Sequence, residues 1–177
     1  RDTLQISLLG YTNNLNKPGF SIGDVMNTGG FNRSGINGMS VYGDGGFALN
    51  NVSFGGTGSG IQRSTGAGIN VNNQLGKKVT LNFQYFYGEI NSDVQQLSNR
   101  QQFFGDTTLA TRNVSNEDNV NNIHRIGGFV KWAVDSTSNF EFRPALTLNN
   151  YRAKKNMEYN TFSNFAGLLN KSDNVQN

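Results

Sequence analysis

The chain has 177 residues, of which only 35% are hydrophobic, with 22 glycines, 28 asparagines, 13 phenylalanines, 6 tyrosines and two prolines. That mixture excludes a helical bundle and a disordered chain, which would lack so many aromatics; glycine, asparagine and aromatics together fit strands joined by turns. Fifteen basic against twelve acidic residues give a net charge of +3 with no dense Lys/Arg cluster, so nucleic-acid binding gains little support, and the absence of cysteine excludes a disulfide scaffold, a thiol nucleophile and a thiolate metal site.

The sequence starts at Arg1 and shows no charged-then-apolar leader and no apolar run near the length of a membrane helix. A mature product or an internal piece is expected. Spanning by β-strands stays open. The first predicted strand is Asp2 to Tyr11, with Leu4, Ile6 and Leu8 alternating against Thr3, Gln5 and Ser7. From about residue 13 to 60 the chain is polar and glycine-rich, with Pro18-Gly19, Gly29-Gly30, Gly45-Gly46 and Gly55-Gly56. A connection that long is either several short strands or a functional excursion, and the excursion is the favoured reading.

A second strand runs from about Gln62 to Asn73, its small residues giving a weak β signal. A turn around Leu75-Gly76-Lys77 follows, with left-handed Gly76 and with Val71 expected opposite Val79 and Ile69 opposite Leu81. The stretch from Val79 to Val134 reads as two long alternating arms about Gly105-Asp106. Residue numbers summing to 211 are expected to pair, which sets Leu81 opposite Val130 and Val79 opposite Trp132. After a polar turn at Asp135–Asn139, Phe140, Phe142, Leu146 and Leu148 alternate against Glu141, Arg143, Thr147 and Asn149, and Trp132 is expected to face Phe142. Pro144 removes a ladder donor and predicts a bulge or an unpaired position. Beyond Asn150 the chain is polar and extended, with a turn at Ala166-Gly167 and the start of a sixth strand.

Connections therefore alternate between a few residues and dozens. Outer-membrane barrels have that asymmetry, with short periplasmic turns and long extracellular loops. The amphipathic parts, Val79 to Tyr87 and Ile126 to Val134, also match the roughly 9–11 residues of a tilted membrane strand. Five or six strands cannot close, so the fold class expected is all-β: a segment of an antiparallel up-and-down transmembrane β-barrel. Residues 1–177 would belong to one barrel domain, with a long extracellular loop at about 13–60 and an extended extracellular hairpin at about 89–122.

The runs GINVNNQLGKKVTLNFQYFYG (Gly68 to Gly88), QQLSNRQQFFGDTTL (Gln95 to Leu109), NNIHRIGGFVKW (Asn121 to Trp132) and FEFRPALTL (Phe140 to Leu148), with the GFS and Asp24 region, resemble the barrel of TonB-dependent-receptor-type outer-membrane proteins of the Bacteroidota. The resemblance implies a barrel of about 22 strands, an N-terminal plug inside it, and energy-coupled nutrient uptake across the bacterial outer membrane. Implied partners are outer-membrane lipid, the remainder of the barrel and its plug, an energy-coupling protein and a surface lipoprotein. No plug, energy-coupling box or terminal aromatic strand is present in these residues. Related barrels in surface assembly or secretion, and an extracellular all-β adhesin or ligand-binding module, are the alternatives.

Alternation divides the side chains into two sets. Val79, Leu81, Phe83, Ile126, Val130, Trp132, Phe142 and Leu146 are expected to face lipid; Gln84, Arg125, Lys131, Glu141 and Arg143 are expected to face the lumen, as a solvated wall or as a lining for a polar solute. His124, the single histidine, has no second histidine or cysteine to complete a zinc or triad site and reads as a strand residue at the outer rim. The glycines of GGTGSG (Gly55 to Gly60) lack the Lys-Ser/Thr of a phosphate cradle. Glu89, Asp93, Glu117 and Asp118 lack calcium-loop spacing and read as solvated loop charge. Neither enzymatic catalysis nor a cofactor or metal is expected.

Overall fold

A computed structural model describes residues 3–15, 20–27, 38–42, 46–49, 52–54 and 60–177. The Pro18-Gly19 and Gly29-Gly30 pairs, the glycines Gly45 and Gly55, and most of the GGTGSG run lie outside those residues. The described chain is an antiparallel all-β structure. Strands β1 (Thr3–Asn13), β5 (Ile61–Leu75), β6 (Val79–Phe104), β7 (Thr107–Ala133), β9 (Ala145–Ser163) and β10 (Gly167–Gln176) lie side by side in chain order, and β8 (Asn139–Phe142) also pairs with β7. β1 and β10 each have one described neighbour, so the sheet is open.

The long hairpin is paired from Val79↔Trp132 to Phe104↔Thr107, every pair summing to 211 as its alternation predicts. Gly105 at the tip has φ +57, the left-handed backbone that a two-residue hairpin with glycine first requires. Two other registers differ from expectation. Val71 lies opposite Phe83 and Ile69 opposite Tyr85, because the three-residue loop is Gly76–Lys78, so that Leu75 pairs directly with Val79 and every partner moves by four residues. Trp132 lies opposite Phe140, and Phe142 opposite Val130. There the turn closes early: Ser138 O accepts hydrogen bonds from Val134 N at 3.0 Å and Asp135 N at 3.3 Å. Both shifts are even in number, so no side chain changes face.

Pro144 interrupts the strand without a bulge. Residues on either side keep one register with β7, as Phe142↔Val130 and Ala145↔Gly127 show, and Pro144 O still accepts from Gly128 N at 3.2 Å. The missing proline donor leaves Arg143 and Pro144 outside the paired strands. The sixth strand predicted after Ala166-Gly167 is β10, and Gly167 has φ +71.

The connection between β1 and β5 departs most from expectation. It contains a short helix, α1 (Ile22–Asn27), and a meander of β2 (Met39–Val41), β3 (Phe47–Leu49) and β4 (Val52–Phe54). Ser21 and Asp24 cap α1 reciprocally: Ser21 Oγ accepts from Asp24 N at 3.1 Å, and Asp24 Oδ2 accepts from Ser21 N at 3.0 Å. Val25, Phe47, Leu49 and Phe54 are buried together with Phe86 and Ile123 of the large sheet, with Leu9, Tyr11, Phe20, Ile22 and Met26 around them. Each fully buried apolar side chain contributes roughly 1.5–3 kcal/mol, so an insert of this polarity folds because it has the sheet to pack on.

The small residues that weaken the β signal of β5 make room for that packing. A Cβ on Gly66 would lie 2.3 Å from the Tyr11 ring, and one on Gly68 would lie 2.9 Å from the Phe86 ring. Gly66→Val and Gly68→Val are therefore expected to lower stability by about 1–3 kcal/mol each, as overpacking does. Urea unfolding measures this, and unchanged midpoints for both variants would contradict the placement of the two rings.

Candidate functional site

The sheet's two faces are opposite in character, and the more hydrophobic one is the exposed one. Following the pairings across the strands gives rows of neighbours. On one face the rows run Leu75, Val79, Trp132, Phe140; then Leu4, Asn73, Leu81, Val130, Phe142; then Ile6, Val71, Phe83, Gly128; then Leu8, Ile69, Tyr85, Ile126, Leu146. Leu8 is 73% exposed, Phe83 49% and Trp132 48%. No described element covers this band.

Aromatic groups mark both of its borders. Trp132 and Phe140 pair at the end with the short turns. At the other end Tyr85 Oη and His124 Nδ1 are 2.8 Å apart, and the Tyr87 ring lies 4.9 Å from that of His124. One row further on, the same face reads Thr12, Thr65, Glu89, Asn122, Asn150. The change is sharp: Tyr87 Oη donates to Glu89 Oε2 at 2.5 Å, and Asn91 Nδ2 donates to Glu89 Oε1 at 2.7 Å.

The opposite face is polar where the band is apolar. It carries Asn70, Gln84 and Arg125 at 2%, 3% and 6% exposure. Asn82 Nδ2 donates to Asn70 Oδ1 at 2.8 Å and to Asn72 Oδ1 at 2.7 Å, and Arg125 Nη1 donates to Thr147 Oγ1 at 3.2 Å. Lys131 stands opposite Glu141 in the ladder, Glu141 is ion-paired with Arg143, and the Arg143 guanidinium lies 5.4 Å from the centre of the Phe129 ring. Gln84, Arg125, Lys131, Glu141 and Arg143 therefore share one face, and Val79, Leu81, Phe83, Ile126, Val130, Trp132, Phe142 and Leu146 share the other.

One part of the polar face breaks the pattern. Leu9, Tyr11, Phe86 and Ile123 surround Gly66, Gly68 and Gly88, and on this apolar floor the inserted segment sits. The signal was present as three glycines and the large side chains of Leu9, Tyr11, Phe86 and Ile123 at positions where the alternation calls for small polar ones. Glycine inside a strand marks close approach of another group.

Beyond the band, β6, β7, β9 and β10 continue as a mostly polar four-stranded sheet that also exposes Leu97, Phe103, Phe104 and Phe162. Two of its carboxylates, Glu117 and Glu158, accept hydrogen bonds that favour the ionised form. Asn119 Nδ2 at 2.8 Å and Lys155 Nζ at 3.3 Å hold the Glu117 carboxyl below the usual range, and Asn160 Nδ2 at 2.9 Å with Lys171 Nζ at 3.4 Å does the same for Glu158. Asp93 and Asp118 face each other directly, with Lys154 opposite Asp118. Among the described residues no group of three or more His, Asp or Glu could hold a metal ion. No described helix is long and apolar enough to cross a membrane, which says nothing of strands.

A carboxylate whose folded pKa is depressed stabilises the fold above its unfolded value, and that contribution disappears as pH falls through the folded pKa. Protection of the extension's amides is thus expected to fall on acidification below about pH 4, the unfolded glutamate range, and to stay flat above it. Hydrogen exchange corrected for intrinsic rates tests this; a loss of protection with rising pH instead would contradict the assigned partners of Glu117 and Glu158.

Comparison with family models, with curated proteins and with solved structures finds no match.

Proposed function

We propose that this chain is a segment of a bacterial outer-membrane β-barrel of the TonB-dependent-receptor type, serving nutrient uptake across that membrane. The observation that carries the reading is the exposed apolar band on a sheet whose covered face is polar. Water strongly disfavours a contiguous apolar surface of this extent, whereas lipid requires it. The band spans nine residues on β6, Val79 to Tyr87, or about 30 Å along the strand and about 23 Å at a tilt near 40°, against about 25 Å for the apolar belt of such barrels.

The aromatic borders support the same assignment, since tyrosine and tryptophan favour the level of the lipid headgroups. The two turns at the tryptophan end are short and adjacent: Ala133 N donates to Lys78 O at 2.8 Å. That end is periplasmic in this reading. The two edges, β1 and β10, are paired by further strands, because a free edge in hydrocarbon leaves backbone groups without partners. The polar side chains from Gln84 to Arg143 then line the lumen. Uptake, the plug, an energy-coupling protein and a surface lipoprotein follow from the resemblance of the strand sequences, not from the geometry. The adhesin alternative needs a second layer on the apolar face, and the described layer lies on the other.

Single cysteines at Leu81, Phe83, Val130, Trp132 and Phe142, labelled with a fluorophore, are expected to be quenched by lipid-phase quenchers, while labels at Gln84 and Lys131 are not. Leu81→Arg or Phe83→Arg is expected to cost about 2–4 kcal/mol of folding into bilayers. A fully folded, detergent-free soluble protein in which the five outward positions are shielded by protein would overturn the membrane assignment.

A further inference from the structure

We propose that the elements described between β1 and β5, α1 and β2 to β4, form an occluding element held inside the lumen, and that the apolar floor around Phe86 and Ile123 is its seat. The inference rests on the barrel reading and goes beyond it, because a connection at the long-loop end of a barrel has no need to approach the wall. Here it does approach. Phe54 of β4 lies with its ring centre 4.9 Å from that of Phe86, and Phe47 stacks on Phe54 at 4.9 Å. Val25, Leu49 and Phe54 are completely buried.

Three observations converge on a fixed seat. The first is the exception in the alternation: Phe86 and Ile123, with Leu9, Tyr11 and Ile90 beside them, are large and apolar on the face that carries Asn70, Asn82, Gln84 and Arg125. A second is the glycine floor, in which Gly66 and Gly68 leave space that the Tyr11 and Phe86 rings fill. The third is the position of the seat along the strands. Phe86 and Arg125 are direct partners, so the insert meets the wall at the level of the tyrosine border and immediately above the polar lining. An element held there lies across the outer entrance to that lining. Solute passing from the long-loop side must go around it or displace it.

These 177 residues contain no cysteine, so within them a Phe54→Cys/Phe86→Cys pair meets no competing thiol. In planar bilayers, the intact protein carrying this pair is expected to show low ion conductance when oxidised and a severalfold higher conductance on reduction, the reduced form having lost both rings of the seat. Phe86→Ala is expected to raise conductance without a redox step. Equal conductance of the oxidised pair, the reduced pair and the wild type, in protein that inserts and whose Leu81 label is quenched by lipid, would overturn the occlusion and leave the barrel reading standing. Failure to insert, with an unquenched Leu81 label, would remove the barrel reading and this inference with it.

Discussion

Everything described depends on the backbone ladder between β6 and β7. Its 26 consecutive pairs run without a shift from Val79↔Trp132 to Phe104↔Thr107. A strand has a side-chain period of two, so one ladder in fixed register assigns a face to every residue of both strands. A slip by one residue would turn Leu81, Phe83, Val130 and Trp132 onto the side of Asn82 and Gln84. The neighbouring strands inherit the assignment, since β5, β8 and β9 all pair with this hairpin in unbroken register.

The consequence is a sheet that solves the burial problem in reverse. In water an antiparallel sheet hides its apolar face and hydrates its polar one. Here the buried side chains of the sheet include polar ones, Asn70, Asn82, Gln84 and Arg125, while Lys131, Glu141 and Arg143 of the same face are exposed; Asn82 Nδ2 donates to Asn70 and Asn72, and Arg125 Nη1 donates to Thr147. The buried apolar cluster is small and sits between that face and the insert, at a single place where the alternation is broken. The fold is therefore held by the ladder over most of its area and by side-chain packing only where the insert docks.

Along the strands the same ladder crosses two environments. Up to Tyr87 and His124 its exposed face is apolar; from Glu89 and Asn122 onward polar residues predominate, with Ile90, Leu97, Phe103 and Phe104 as apolar exceptions on β6, and pairing continues for a further sixteen residues of β6 to Phe104. Beyond the band, cross-strand hydrogen bonds and ion pairs such as Glu117 to Lys155 replace apolar contact. At the far end the turns of two hairpins are tied together: Asn164 Nδ2 donates to Asp106 O at 2.8 Å, and Thr108 N donates to Asn164 Oδ1 at 3.0 Å. The extension is thus a braced four-stranded sheet.

By itself the sequence determined the all-β class, the 211 pairing of the hairpin, the turns at Gly76, Gly105 and Gly167, and the division of side chains into two faces. These are local properties, set by alternation and by glycine where a turn needs left-handed backbone, and they survive errors of register by an even number. The other registers depend on how tightly each turn closes, which is why Val71 meets Phe83 and Trp132 meets Phe140. Only the tertiary structure decided that α1, β3 and β4, between β1 and β5, fold back onto the polar face. Their apolar residues are too few and too scattered to show a period of their own, and their partners, Phe86 and Ile123, belong to strands far along the chain. Contact between such distant segments is settled by burial, which no short window of sequence records.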